Sequence, residues 1–263
     1  MKALRCIAPH DVRIVEVAPP ELGADQLLIK PLASGICGTD LEIIEGGVDA
    51  AYIRYPITLG HEWVGEVIAL GAEVSGPEIG TRVVVEGIIP CQQCPEWIEG
   101  FTNRCATYDE IGFTRDGAGA ELIVVPAHLH HVLEKRVSNE SAALVEPAAV
   151  VYQGLLRIAP KDGAKVLVIG DGTIGLLAVT FLKSFSPASI DMFGIRPSQR
   201  DLAIHSGVSH FITDKDLLTK DYDYVIESYG TYEAELPNAR LWHSVIGTTN
   251  AAGKITVLYT SQE

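Results

Sequence analysis

Cys37, in the run Gly35-Ile36-Cys37-Gly38-Thr39-Asp40, and His61, in Gly60-His61-Glu62, have the residue types and setting for metal chemistry. A thiolate, an imidazole and the adjoining Glu62 carboxylate make a tetrahedral zinc site with room for a substrate oxygen. Mixed sulfur and nitrogen ligands with one open position belong to catalytic rather than structural zinc. Zinc lowers the pKa of bound water from ~15.7 to about 7 and acts in the same sense on a bound alcohol. A second motif, Gly170-Asp171-Gly172-Thr173-Ile174-Gly175, has the spacing of a phosphate-cradling dinucleotide turn. Zinc and nicotinamide in one chain imply hydride transfer between alcohol and ketone.

Each glycine of that turn has a physical reason. Gly170 permits the tight turn, Gly172 lets the pyrophosphate approach, and Gly175 allows the helix to touch the strand. Thr173 and Ile174 open the helix whose N-terminal dipole receives the pyrophosphate. About 20 residues on, a carboxylate would hold the ribose hydroxyls of NAD. That slot falls on Gly194, in Phe193-Gly194-Ile195-Arg196. Without a carboxylate there, Arg196, with Arg200 nearby, suits the 2′-phosphate of NADP, which is favoured over NAD. A register one turn away would bring in Asp191 and restore NAD.

These motifs need elements to position them. Residues 1–147 read as short strands at 27–31, 63–70, 82–87 and 121–125, separated by glycine and proline. After Glu146-Pro147 the texture changes to a helix at 148–158 and a buried parallel strand at 165–169. A helix at 174–184, a strand at 190–193, a helix at 198–206 and strands at 224–227 and 254–259 follow. Strand–helix alternation of this kind predicts a doubly wound parallel sheet over 148–263, in an α/β chain of two domains.

Twenty basic against 34 acidic residues leave a net charge of −14, which disfavours nucleic acid and anionic membranes as partners. No stretch reaches the ~18 apolar residues of a membrane span. The N-terminus lacks a signal-peptide core. With 5 cysteines, an odd number and four of them in metal-like contexts, a reduced cytoplasm is expected. Cys6 reads as a small buried residue of the first strand, and His128, His130 and His131 as a surface turn rather than a metal site.

Taken in order, GICGTD (35–40), GHE (60–62), the cysteine lobe at 91–105, Glu146-Pro147 and GDGTIG (170–175) make the chain resemble the zinc-dependent medium-chain dehydrogenases over essentially its whole length. The resemblance implies a GroES-like β-domain over 1–147, then a C-terminally shortened Rossmann domain, with the active site between them. It implies Cys37, His61 and Glu146 as zinc ligands and Glu62 as a neighbour or exchangeable ligand. Thr39 would pass the substrate proton outward. Glu42 stands where many relatives carry the histidine of that relay. Within the family, Tyr55-Pro56 and the run Gly112-Phe113-Thr114-Arg115-Asp116-Gly117-Ala118 resemble dehydrogenases of aminocyclitols, which implies 2-deoxy-scyllo-inosamine of antibiotic biosynthesis as substrate. An aldose or polyol is the alternative small-molecule substrate.

The lobe departs from the family pattern. Cys91, Cys94 and Cys105 match three of its four zinc-binding cysteines, but Trp97 holds the third position. Glu96, Glu99 or water completes the site, or Trp97 packs the lobe and no metal binds; structural sites are closed and four-coordinate, which favours a weak or absent second zinc. The family also continues past the strand at 254–259, and the segment 231–250 reads poorly as its usual helix. A homo-oligomer would lack its usual interface segment, and a non-catalytic zinc- and nucleotide-binding chain is the reading from another class.

Overall fold

The computed structural model describes residues 1–101, 104, 105, 107–218, 222–228 and 256–259. It divides into two compact units, Met1–Glu146 and Pro147–Glu263. In chain order the first carries β1 (Lys2–Ala8), β2 (Asp11–Glu16), β3 (Gln26–Ser34), helix α1 (Gly38–Glu45), β4 (Ile57–Thr58), β5 (Trp63–Leu70), β6 (Arg82–Val85) and β7 (Ile88–Ile89). Helix α2 (Pro95–Ile98), β8 (Asp109–Glu110), β9 (Ile123–Pro126), β10 (His130–Val132) and helix α3 (Asn139–Ala143) follow.

The main sheet of this unit runs β10-β6-β5-β3-β9 and is antiparallel throughout. Leu27, Ile29, Val67, Val83 and Val125 point inward from four of its strands and are fully buried. Each aliphatic side chain so withdrawn from water contributes roughly 1.5–3 kcal/mol. Pro31 sits in β3 without breaking the sheet, because pairing with β9 ends at Ile29 and no donor is needed beyond it. The register of β3 on β5 matters most for function. It pairs Ser34 with Trp63, and the Gly35 amide donates to the Glu62 carbonyl at 2.7 Å. The end of one strand is thereby laid beside the start of the other, and with it the two short motifs.

Boundaries shift where tertiary contacts compete with local pattern. The strand expected over 82–87 stops at Val85, as the Gly87 carbonyl accepts from the Ile111 amide. Glu121 is drawn to β1, its amide donating to the Lys2 carbonyl, so the strand expected at 121–125 runs from Ile123 to Pro126. His130 and His131 are not in a turn: they extend the sheet against Val84 and Val85, and only His128 lies on the turn before them.

The second unit, together with the last residues of the first, holds helix α4 (Val145–Ile158), then β11 (Lys165–Ile169), α5 (Thr173–Leu182), β12 (Ser189–Phe193), α6 (Arg200–Ser206), β13 (His210–Ile212), β14 (Tyr224–Glu227) and β15 (Thr256–Tyr259). The sheet order is β13-β12-β11-β14-β15, the first four strands parallel and β15 antiparallel to β14. Strand order reverses between β11 and β14, and ligands of such sheets bind beyond the strand ends at that switch. Val166, Val168, Ile190, Met192 and Ile226 fill the core beneath α5. Helix α4 starts earlier than the expected 148, so Glu146 lies in its first turn. Pro147 is tolerated there because its missing N–H has no intrahelical partner. The segment 231–250 lies outside the described residues. No helix among those described is long and apolar enough to cross a membrane.

Candidate metal centre

Cys37 caps α1, and its amide donates to Asp40 Oδ2 at 2.8 Å. This reciprocal turn fixes the thiol at the mouth of the helix. His61 and Glu62 arrive on the segment entering β5, only 4% and 8% exposed. The ligand atoms of Cys37, His61 and Glu62 lie within 4.8 Å of one another. Neither ring nitrogen of His61 has a hydrogen-bond partner, nor has Asp40 Oδ1, which lies 3.6 Å from His61 Nδ1. Phe113 closes one side, its ring 5.1 Å from the imidazole.

The electrostatics show what this cluster lacks. Burial disfavours a charged imidazole, yet the Asp40 carboxylate and the Cys37 thiol outweigh it and push His61 up to about 10. Burial also raises Glu62, and it pushes Glu110 and Glu146 up to about 7. Four carboxyl groups and a thiol thus surround one imidazole whose nitrogens are orphaned. A divalent cation satisfies the Cys37 thiol, the His61 imidazole and the Glu62 carboxylate at once, and that sulfur, nitrogen and oxygen set suits zinc. The residues fit the metal.

The structure gathers Cys37, His61 and Glu62 but leaves Glu146 outside that set, as a half-buried residue in the first turn of α4. Thr39 is buried, its Oγ1 3.6 Å from Cys37 Sγ. Glu42 stands on the exposed face of α1.

In the second unit, Gly170 adopts φ +111°, and a Cβ on Gly175 would lie 2.0 Å from the Gly170 carbonyl oxygen. Only glycine permits this approach of α5 to β11. Gly172 caps α5, with Thr173 and Ile174 in its first turn and their amides directed at the switch point. The cradle fits a dinucleotide pyrophosphate. Gly194 follows β12, its amide bonded to the Ile212 carbonyl at 3.0 Å. The Arg196 guanidinium is paired with Asp171, with Oδ1 at 3.0 Å from Nε and 2.8 Å from Nη2. Burial of the Asp171 carboxylate drives that pairing. Asp191 is also engaged, by Tyr222 and His210 at 2.8 Å each, and Arg200 lies over the Phe211 ring.

Residues 23–135 match the model of the alcohol dehydrogenase GroES-like domain. The chain is 31% identical over 268 residues to L-threonine 3-dehydrogenase of Shewanella sediminis, covering 98% of this chain and 77% of that one. The chain belongs to the zinc-dependent medium-chain alcohol dehydrogenase family.

Solved structures agree with that membership. A zinc-binding dehydrogenase from Sinorhizobium meliloti bound to NADP superposes with a TM-score of 0.82 at 29% identity, over 88% of this chain and 70% of that one. Galactitol-1-phosphate dehydrogenase from Escherichia coli gives 0.75 at 33%, over 83% and 62%. The chain is therefore an oxidoreductase of the zinc alcohol and polyol dehydrogenase type, with the GroES-like and Rossmann architecture of that family and a small-molecule substrate.

In this dehydrogenase the cysteine lobe brings Cys91, Cys94 and Cys105 together, their sulfurs within 4.8 Å. The Cys91 amide donates to Cys105 Sγ at 3.3 Å and the Trp97 amide to Cys94 Sγ at 3.4 Å. Hydrogen bonds from the Gln93 backbone and from Thr107 bring Cys91 down to about 6. The Trp97 amide favours a Cys94 thiolate too, but desolvation and the neighbouring sulfurs outweigh it and push Cys94 up to about 11. Trp97 is half-buried and meets the sulfurs through its backbone.

Sequence reasoning passed over Asp40, Glu110, Phe113 and Asp171. Asp40 and Asp171 sat inside the quoted motifs, so a capping box at Cys37 and a charged residue within a glycine turn were available signals. Glu110 carries no local signal, and Phe113, although inside the quoted run 112–118, carries none for a place beside the imidazole; only the fold brings them to His61.

Proposed function

We propose that this chain oxidises a secondary hydroxyl group on a carbon adjacent to an amine- or hydroxyl-bearing carbon, with NADP as hydride acceptor. The observation that carries this reading is the cluster of half-buried Cys37 with buried His61 and Glu62, and its orphaned imidazole. Those three side chains would hold zinc, with Glu146 the neighbouring carboxylate available to it. Bound zinc supplies Lewis acidity that makes a hydroxyl easier to deprotonate, and bound nicotinamide supplies the hydride acceptor.

The chain's own residues do the rest. Cys37 and His61 orient the metal, and Asp40 orients both of them. Thr39 Oγ1, beside Cys37 Sγ, receives the hydroxyl proton and passes it on. Phe113 excludes water from one side of the imidazole. Hydride leaves the carbinol carbon with its electron pair, the proton leaves its oxygen, and a ketone remains. Glu110 and Glu146, which burial pushes up to about 7, would be drawn into the ionised form by an ammonium group on the substrate and would favour it in return.

For the substrate, 2-deoxy-scyllo-inosamine is the candidate, on the runs 55–56 and 112–118. Threonine, the substrate in the name of the Shewanella relative, likewise carries its hydroxyl next to an amine-bearing carbon. The likeness to galactitol-1-phosphate dehydrogenase favours a polyol as the second reading. The experiment is reduction of NADP and NAD by the zinc-loaded chain given 2-deoxy-scyllo-inosamine, L-threonine, sorbitol, glucose and galactitol 1-phosphate. Turnover led by an amino alcohol supports the first reading, turnover led by a polyol the second, and silence on all of them overturns both.

A further inference from the structure

Among the described residues of the second unit, Asp171 is the only charged side chain that is buried. A buried carboxylate in a phosphate-cradling turn repels the ligand the turn exists to hold, so its retention asks for a use. Among the described residues it accepts three hydrogen bonds, all from Arg196: the backbone amide at 2.8 Å, Nε at 3.0 Å and Nη2 at 2.8 Å. A Cβ on Gly194 would fall 2.7 Å from Asp171 Cβ and 2.8 Å from its Oδ2. The strand-end position aligned with the ribose carboxylate of NAD proteins is thus a glycine with no free space for a side chain, hemmed in by Asp171 and by Phe211 Cζ at 2.7 Å. A Cβ on Gly172 would meet a single neighbour, Arg196 Nη2 at 3.7 Å, so the guanidinium stands beside the glycine where pyrophosphate approaches.

Asp171 is only 3% exposed and its oxygens already accept from Arg196, so the carboxylate is not presented to ribose hydroxyls. The Arg196 side chain is nevertheless half exposed, so one edge of its fork is held while the other is presented outward. That edge carries N–H donors only, which is a surface for an anion. We propose that Asp171 is a positioning residue that pins Arg196 to read the 2′-phosphate of NADP, so that cofactor preference resides in the pair. This inference rests on the NADP reading above. Pinning removes the rotamer freedom that an unpaired arginine would lose on binding, and the bonds from Nε and Nη2 converge on one oxygen, Asp171 Oδ1, which holds that edge of the guanidinium in place.

The test is titration of the zinc-loaded full chain with NADPH and with NADH, following nicotinamide fluorescence, for wild type, Arg196→Ala, Arg196→Lys, Asp171→Asn and the double variant Asp171→Asn/Arg196→Ala. Wild type is expected to bind NADPH more tightly. Arg196→Ala should weaken NADPH by about tenfold or more, with NADH nearly unchanged. Asp171→Asn, although it keeps the arginine, should weaken NADPH by roughly three- to tenfold, again sparing NADH. The double variant should be no weaker than Arg196→Ala alone. Arg196→Lys retains the charge without the fork and should behave like Asp171→Asn, which keeps the test valid if the asparagine variant does not fold. A wild type that binds NADH at least as well as NADPH overturns the cofactor reading. A wild type that prefers NADPH, with Asp171→Asn and Arg196→Lys leaving that preference intact or lowering both affinities equally, overturns the positioning role alone.

Discussion

Asp40 faces two residues of the metal cluster at once, accepting the Cys37 amide on Oδ2 at 2.8 Å and placing Oδ1 3.6 Å from His61 Nδ1. One carboxylate thereby sets the thiol's loop and the imidazole's orientation. Outer partners of this kind typically contribute 10- to 100-fold in metal affinity. Asp40→Asn retains an acceptor for the Cys37 amide but removes the charge facing His61. Its zinc affinity, measured by chelator competition, is expected to fall within that range; unchanged affinity would leave Asp40 a helix cap only.

Glu110 offers a pH test at a residue outside the clustered ligand set. Burial holds it at about 7 in the folded chain, against an ordinary value of 4.5. The folded state then binds more protons than the unfolded state between those two values, so stability falls as pH rises through that window and levels off above it. In chelator-treated protein, Glu110→Gln should melt higher than wild type at pH 8 and match it near pH 4. Equal melting temperatures at both pH values would remove the argument.

Gly175→Ala places a methyl group 2.0 Å from the Gly170 carbonyl and 3.0 Å from Ser228 Oγ. Backbone cannot yield as a flexible side chain does, so a loss of about 1–3 kcal/mol in denaturant unfolding is expected. Dinucleotide affinity should fall with it, because the helix terminus retreats from the strand ends. Wild-type NADPH binding by this variant would mean that the turn is not the pyrophosphate cradle.

The cysteine lobe has three sulfurs, of which Cys91 is favoured as thiolate and Cys94 is disfavoured. Three ligands leave a structural site open. After dialysis against a moderate chelator, metal analysis should find close to one zinc per chain. Cys105→Ser should leave that zinc in place, and Cys37→Ser should remove it. Two zinc ions surviving dialysis would show that Glu96 or another group closes the lobe.

Sequence alone determined whatever depends on short-range spacing. The glycine turn is legible because Gly170, Gly172 and Gly175 each answer a steric need a few residues away. The sheet of the second unit is legible because Val166–Ile169 is buried on both faces and reads as an unbroken apolar run. Cys37 and His61 are legible because their motifs carry the chemistry within themselves.

What tertiary structure decided lies where residues distant in sequence meet. The β3–β5 register sets Gly35 against Glu62, and with it Glu62, not Glu146, among the clustered ligand atoms. Pairing of β11 with β12 brings the turns after them together, so that Asp171 meets an arginine 25 residues away. Glu110 gains its raised pKa from burial near His61, which no local pattern reports. Periodicity tells each strand which face to bury. It does not say which side chains the loops at the strand ends will bring into contact, and in this dehydrogenase those contacts set the charge and the orientation of every candidate functional group.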